Sequence, residues 1–389
     1  MRKKMMHIFE NVFGNTDNSR LFFAPGRVNL IGEYTDFNGG HVLPCALTIG
    51  TYAVVRPRTD RKLRFYSENF SELGIIEAAT DAIGYKDSHD WANYPKGVVA
   101  IFQQAGIDIE RGFDIAFYGN IPNGAGLSSS ASIEMLMAVI LKAFYTVTFS
   151  MEEMVALAQK TENEYIGVNC GIMDQFAIGM GKKEHGVLLN TSTMAYHYAH
   201  LDLGEYALVI GNTNKRRGLG DSKYNERRAE CEQAVADLNQ VMDIKHLCDI
   251  DVATFEKNKD VIKSEVHLRR ARHVISENER TIKAHDELNN EHMEAFGALM
   301  NDSHESLKND FEVTGIELDT LVEIAQSFEG VIGSRMTGAG FGGCTVSLMH
   351  KDCVQRFIEG VNRSYKEAIG YDADFYVVEA GDGACELVG

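Results

Sequence analysis

No uninterrupted apolar run in this 389-residue chain is long enough to span a bilayer, so a membrane-spanning reading is set aside. The opening Met1-Arg2-Lys3-Lys4 carries the charge of a signal n-region. Asn11, Gly14, Asn15, Asp17 and Asn18 follow, and no hydrophobic segment develops. The chain is therefore expected to be cytoplasmic. Paired cysteine spacing is also missing. Seven cysteines are dispersed at 45, 170, 231, 248, 344, 353 and 385, with no metal-clip pair, which points to reduced thiols. Positive charge is scarce: 38 Lys and Arg face 56 Asp and Glu, a net charge of −18 that repels nucleic acid and anionic membrane surfaces. An anionic nucleotide stays compatible with that field where a helix end and a metal supply local positive charge. There is no internal repeat and no low-complexity tract.

What is present has the length of about two domains. Strand patterning is expected over 21–24, 42–55, 63–66 and 112–118, and again over 206–210, 331–336, 344–349 and 375–379. Residues 91–104 have a helical period, with Pro95 in the first turn and Gly106 just beyond. Ser150 and Glu153 form a capping-box pattern that opens a helix over 151–166. From 224 to about 328 the chain is mostly helical, charged, and poor in Pro and Gly. Strands and helices mix in both halves. That predicts two domains, 1–200 and 201–389, with a cleft between them.

Three islands carry the chemistry. The first runs from Ala24 to His41 and sets Arg27, Glu33 and Asp36 among turn formers, where carboxylates can accept hydrogen bonds from sugar hydroxyls. The second is Gly124-Ala125-Gly126-Leu127-Ser128-Ser129-Ser130, between an apolar strand and an apolar helix. Glycines let backbone approach a phosphate, and the free N–H groups of a helix start bind it. No Walker lysine is present; the serines can instead reach phosphate oxygen and Mg²⁺. The third island, Met336 to Thr345, has four glycines in six positions between strands, more than a turn needs.

In this order the islands resemble the three motifs of the galactokinase, homoserine kinase, mevalonate kinase and phosphomevalonate kinase (GHMP) superfamily. The first is similar to the galactokinase version, G-R-x-N-L-I-G-E-H-T-D-Y. The segments Cys170-Gly171-Ile172-Met173-Asp174-Gln175 and Asp221 to Cys231 agree with the same branch. The resemblance implies an α+β fold of two domains, an N-terminal mixed-sheet α/β domain and a C-terminal α+β domain, with the active site in the cleft. It implies phosphorylation of D-galactose at the C1 hydroxyl by ATP with Mg²⁺.

By the same resemblance, Asp174 is the base and Arg27 stabilises the transferred phosphoryl. Glu33, Tyr34, Asp36, Gly171 (through its backbone), Asp174 and Tyr224 bind the sugar. Gly124, Ala125, Gly126, Leu127, Ser128, Ser129 and Ser130 hold the triphosphate, with Trp91 and Tyr94 near the adenine. Ser130 and Glu162 hold the metal, with Glu164 as a competing carboxylate. One departure is Tyr34, where the family usually has His, beside the sugar's C6 hydroxyl. It leaves arabinose, N-acetylgalactosamine and galacturonate as alternative substrates. Separately, a sugar sensor without turnover is a lesser reading, against which the intact Ser128-Ser129-Ser130 run, Arg27 and Asp174 count. Otherwise the expected partners are galactose and ATP, the expected state a monomer.

Overall fold

The computed structural model describes residues 1–122, 126–215 and 220–388, with only the backbone for 220–222. A six-stranded sheet organises the first half. Its order is Cys385–Glu386, Arg20–Asn29, Pro44–Pro57, Phe113–Gly119, Lys62–Ser67 and Ile76–Ala79. Only the Lys62–Ser67 and Phe113–Gly119 pair is parallel. Side chains alternate across the pleat. Phe22, Ala24, Ala53, Val55, Ile115 and Phe117 pack with residues of the helices Asn93–Gln104, Ser129–Phe144 and Met151–Lys160. Leu21, Val54 and Ala116, on the other face, pack under Met5, Ile8 and Phe9 of the amphipathic helix Arg2–Phe13. The chain recrosses the expected division near residue 200, because Cys385–Glu386 pairs with Phe22 and Phe23 at the edge of this first sheet.

The second half centres on an antiparallel sheet ordered Val331–Thr337, Cys344–His350, Tyr206–Asn212 and Asp374–Val378. The helices Gly220–Leu238 and Glu265–Asn289 pack through Cys231, Ala234 and Val274. The two halves share one core, in which Val28, Leu30 and Leu43 meet Leu208, Ile210, Phe296 and Val346. Among the described residues no helix is long and apolar enough to cross a membrane.

Two expected helices begin or end differently. A 3-10 turn, Asp87–Ala92, holds Trp91, and the α-helix starts at Asn93. The capping box at Ser150 and Glu153 forms in both directions, but after Lys160 the helix widens into a π turn, Thr161–Ile166. Such bulges re-aim side chains. Here Glu162 becomes buried, while Glu164 stays exposed and faces Lys160 at 3.6 Å.

Candidate active site

A cavity of about 780 Å³ opens where segments of both halves converge. Its walls come from Arg27 to Asp36, the 126–130 turn, 167–174, Tyr224 and Asn225, and the 338–341 turn of a hairpin. The 126–130 turn is held against the first segment. The Leu127 carbonyl accepts the Arg27 N–H at 3.3 Å, and a Cβ at Gly26 would lie 3.0 Å from that oxygen. Ser128 sits in the left-handed region at φ 61°, just before the helix Ser129–Phe144. That conformation is rare for serine and turns the helix N-terminus toward the cavity. Gly124 and Ala125 lie outside the described residues.

Arg27 and Asp174 form a fork. Nε donates to Oδ1 at 2.8 Å and Nη2 to Oδ2 at 2.9 Å, while Nη1 donates to the Gly126 carbonyl at 2.9 Å. The Ser128 hydroxyl also donates to Asp174. A planar guanidinium matches a carboxylate in this way and fixes its orientation. Arg27 is buried, whereas the Asp174 side chain keeps 30% of its surface exposed toward the cavity.

Glu33, Tyr34, Asp36, Gly171 and Tyr224 all line the same cavity. Glu33 is buried and its oxygens are already held by protein donors. Oε2 accepts from Asn29 at 2.8 Å and Arg335 at 2.6 Å; Oε1 accepts from the Gly338 N–H at 2.8 Å and Thr337 at 3.3 Å. Burial pushes its carboxyl up, opposed by Arg335. Tyr34, in the left-handed region, packs on Phe311 and Tyr224. Its phenol donates to the Ala339 carbonyl at 2.5 Å and so ties the first island to the third. Burial, with the nearby Asp174 charge, raises Asp36 to about 6. A Cβ at Gly171 would fall 1.8 Å from Asp36 Oδ2, so only glycine permits that approach. Burial raises the Tyr224 phenol well above its ordinary value.

Behind Ser130, outside the lining of either cavity, further carboxylates are buried. Glu162 hydrogen-bonds Ser130 and accepts from Gln175 at 2.7 Å; burial, then the Asp174 charge, raises its pKa. Gln175 also donates to Glu134 at 3.0 Å. Glu134 is fully buried, one oxygen has no partner among the described residues, and burial raises its carboxyl strongly. Glu134 and Gln175 escaped the sequence reading, although a lone carboxylate one turn after Ser130 in an apolar helix was a usable signal. Among the described residues no cluster of three or more His, Cys, Asp or Glu is arranged to hold a metal alone. A hydroxyl, a carboxylate and an adjoining unpaired carboxylate oxygen do fit Mg²⁺, which takes few protein ligands and keeps phosphates and waters.

A second cavity, about 180 Å³, shares Ile121, Ser129 and Ser130 with the first. Trp91 and Tyr94 line it, with Phe70, Phe117, Asn69 and Ser67. Trp91 belongs to the core as well as to this wall. It stacks on Phe70 and meets Phe117 edge-on, and its buried indole N–H has no partner among the described residues.

Known proteins match along the whole chain. Family models for the GHMP kinases N terminal domain, the galactokinase galactose-binding signature and the GHMP kinases C terminal match residues 93–182, 7–57 and 284–367. The galactokinase of Clostridium acetobutylicum is 56% identical over 97% of both chains. That of Bacillus subtilis is 54% identical over 100% of both. The crystal structure of Lactococcus lactis galactokinase complexed with galactose superposes with a TM-score of 0.96 at 46% identity, covering 99% of this chain and 100% of that one. The mevalonate kinase of Methanococcus jannaschii, at 19% identity and TM-score 0.67 over 94% of this chain and 99% of its own, shares the fold.

Proposed function

This chain belongs to the galactokinases of the GHMP kinase family, and from that premise we propose that it transfers the γ-phosphoryl of ATP to the C1 hydroxyl of D-galactose. The observation that carries the reading is the Arg27–Asp174 fork beside the start of the Ser129–Phe144 helix, in one cavity. The triphosphate lies along 124–130, held by N–H groups of the turn and helix start. The base enters the smaller cavity, against Trp91 and Tyr94. Ser130 and Glu162 hold Mg²⁺, whose charge neutralises phosphate oxygens when bound.

The sugar occupies the end lined by Glu33, Tyr34, Asp36, Gly171 and Tyr224. As its hydroxyl attacks phosphorus, Asp174 accepts the proton. Arg27 orients that carboxylate and offsets charge on the equatorial oxygens. In a loose transition state proton transfer is late, so positioning contributes more than basicity. We read the protein as a cytoplasmic monomer.

The test is purified protein with ATP, Mg²⁺ and a panel of galactose, arabinose, N-acetylgalactosamine and galacturonate. ADP release is followed, and phosphorus NMR identifies the phosphorylated hydroxyl. Highest kcat/KM for galactose, with the phosphate on C1, is expected. No turnover of galactose alongside turnover of another sugar overturns the assignment. Tyr34 is the observation that favours such a second substrate: it fills space beside the sugar end and spends its phenol proton on Ala339.

A further inference from the structure

Beneath the sugar end, the helix Glu265–Asn289 and the strand Val331–Thr337 meet the 29–33 loop through charges buried from solvent. Arg335 is 0% exposed. Its Nη1 donates to the carbonyls of Asn29 and Leu30 at 3.3 and 3.2 Å, its Nη2 to Glu33 at 2.6 Å, and its Nε to Ser303 at 3.2 Å. Glu277, also 0% exposed, accepts the Gly32 N–H at 3.0 Å and the Ser303 hydroxyl at 2.6 Å, and it pairs with Arg280. The two charges face each other at 3.9 Å. His273 Nε2 lies 3.2 Å from the Glu33 carbonyl. Four loop positions, 29, 30, 32 and 33, are thus held from below by side chains of the second half.

None of Arg335, Glu277 and His273 lines either cavity described above. Burying such charges is unfavourable unless their geometry is well satisfied, and apolar packing serves stability as well or better. What these groups add is fixed orientation. A guanidinium reads two backbone carbonyls and a carboxylate at once. Glu33 in turn holds the Gly338 N–H and Thr337, so one anion joins the sugar loop to the glycine turn of the hairpin.

We propose that Arg335 and Glu277 are positioning residues for galactose: a buried clamp that fixes the 29–33 loop and aligns the sugar end with the Arg27–Asp174 fork. This rests on the reading of that end as the galactose site. The clamp acts through Glu33 and the loop backbone and touches no substrate.

The test uses full-length Arg335→Lys, Arg335→Met and Glu277→Gln, with Asp114→Asn as control. Asp114 is a buried carboxylate paired with Arg56, Arg58 and Arg64, and it lines neither cavity. Folding is checked by circular dichroism and Tm, and KM is measured for each substrate. Arg335→Lys keeps the charge and loses the fork; we expect KM for galactose to rise about tenfold or more, as misplacement of a positioning element does, with KM for ATP within about threefold. Glu277→Gln moves the same parameter. Asp114→Asn lowers Tm and leaves both KM values in place. Should Arg335→Met fail to fold, Arg335→Lys and Glu277→Gln carry the test. Folded variants with KM for galactose within about twofold of wild type, or with both KM values rising together as Tm falls, overturn the clamp. If wild type turns over another sugar instead, the galactose assignment fails separately, and the same comparison is made with that sugar.

Discussion

Most polar groups at the sugar end of the cleft are paired with one another, Asn29 Oδ1 being an exception, whereas among the described residues several behind the phosphate end have no partner. At the sugar end Glu33 takes four donors, Tyr34 donates to Ala339, Thr35 reaches the Gly32 and His41 carbonyls, and Asn38 reaches the Tyr34 carbonyl. Behind Ser130 an oxygen of Glu134 and the carbonyl oxygen of Gln175, and beside the smaller cavity the indole N–H of Trp91, are buried and unpaired among the described residues. Each such group costs roughly 1–3 kcal/mol. The contrast suits the two substrates. A neutral sugar is recognised by a pre-formed lattice of hydrogen bonds. The cation that accompanies a triphosphate, with its waters, would bring positive charge and donors that a carboxylate-rich, incompletely paired site can use.

Substitutions should separate the ends, and the largest effect lies where they meet. Asp174→Asn is expected to lower kcat by about 10²- to 10⁴-fold, the usual span for loss of a general base, with galactose affinity partly kept. Single-turnover kinetics and equilibrium sugar binding measure the two separately; wild-type kcat removes Asp174 from the base role. Next, Ser130→Ala and Glu162→Gln are expected to raise the half-saturating Mg²⁺ concentration about tenfold with little change in KM for galactose. A metal titration at fixed ATP reads this, and an unchanged curve places the ion on other groups.

Asp36 gives a pH test confined to the sugar end. Its carboxyl titrates near 6 in the fold, above its ordinary 3.8, chiefly through burial. The ionised form accepts sugar hydroxyls, so kcat/KM for galactose should hold above about pH 6 and fall as pH drops through it. Because ionisation is disfavoured in the folded state, Asp36→Asn should raise Tm at pH 7 while weakening galactose binding and flattening the acid limb. The smallest change is expected for Trp91→Phe. Loss of indole surface from the wall of the smaller cavity should raise KM for ATP about three- to tenfold and leave KM for galactose alone. Trp91 is the chain's single tryptophan, so ATP binding should also alter wild-type intrinsic fluorescence.

Much of this was legible in residue order. The three islands and the segment around Asp174 could be located because glycine, serine and acidic residues in short fixed patterns have few other uses. The sheets followed from alternation, as at Phe22, Ala53 and Phe117 on one face against Leu21, Val54 and Ala116 on the other. Long-range pairing was not legible. Arg335 and Glu277 look like ordinary surface charges until the fold buries them 58 positions apart in the chain. The two-residue strand Cys385–Glu386 has too little pattern to reveal that it returns to the first sheet. Tyr34 was visible as a departure from the family. Its attachment to Ala339, 305 positions away, depends on a hairpin turn that only tertiary structure supplies.

The central claim is that Asp174, Arg27 and the 126–130 turn serve one reaction centre. The most direct measurement is a crystal structure with galactose and a non-hydrolysable ATP analogue bound together. The account predicts the C1 hydroxyl within hydrogen-bond reach of Asp174, about 2.6–3.2 Å, and in line with the γ-phosphoryl. A closed complex in which that hydroxyl contacts neither Asp174 nor the γ-phosphoryl position would contradict it.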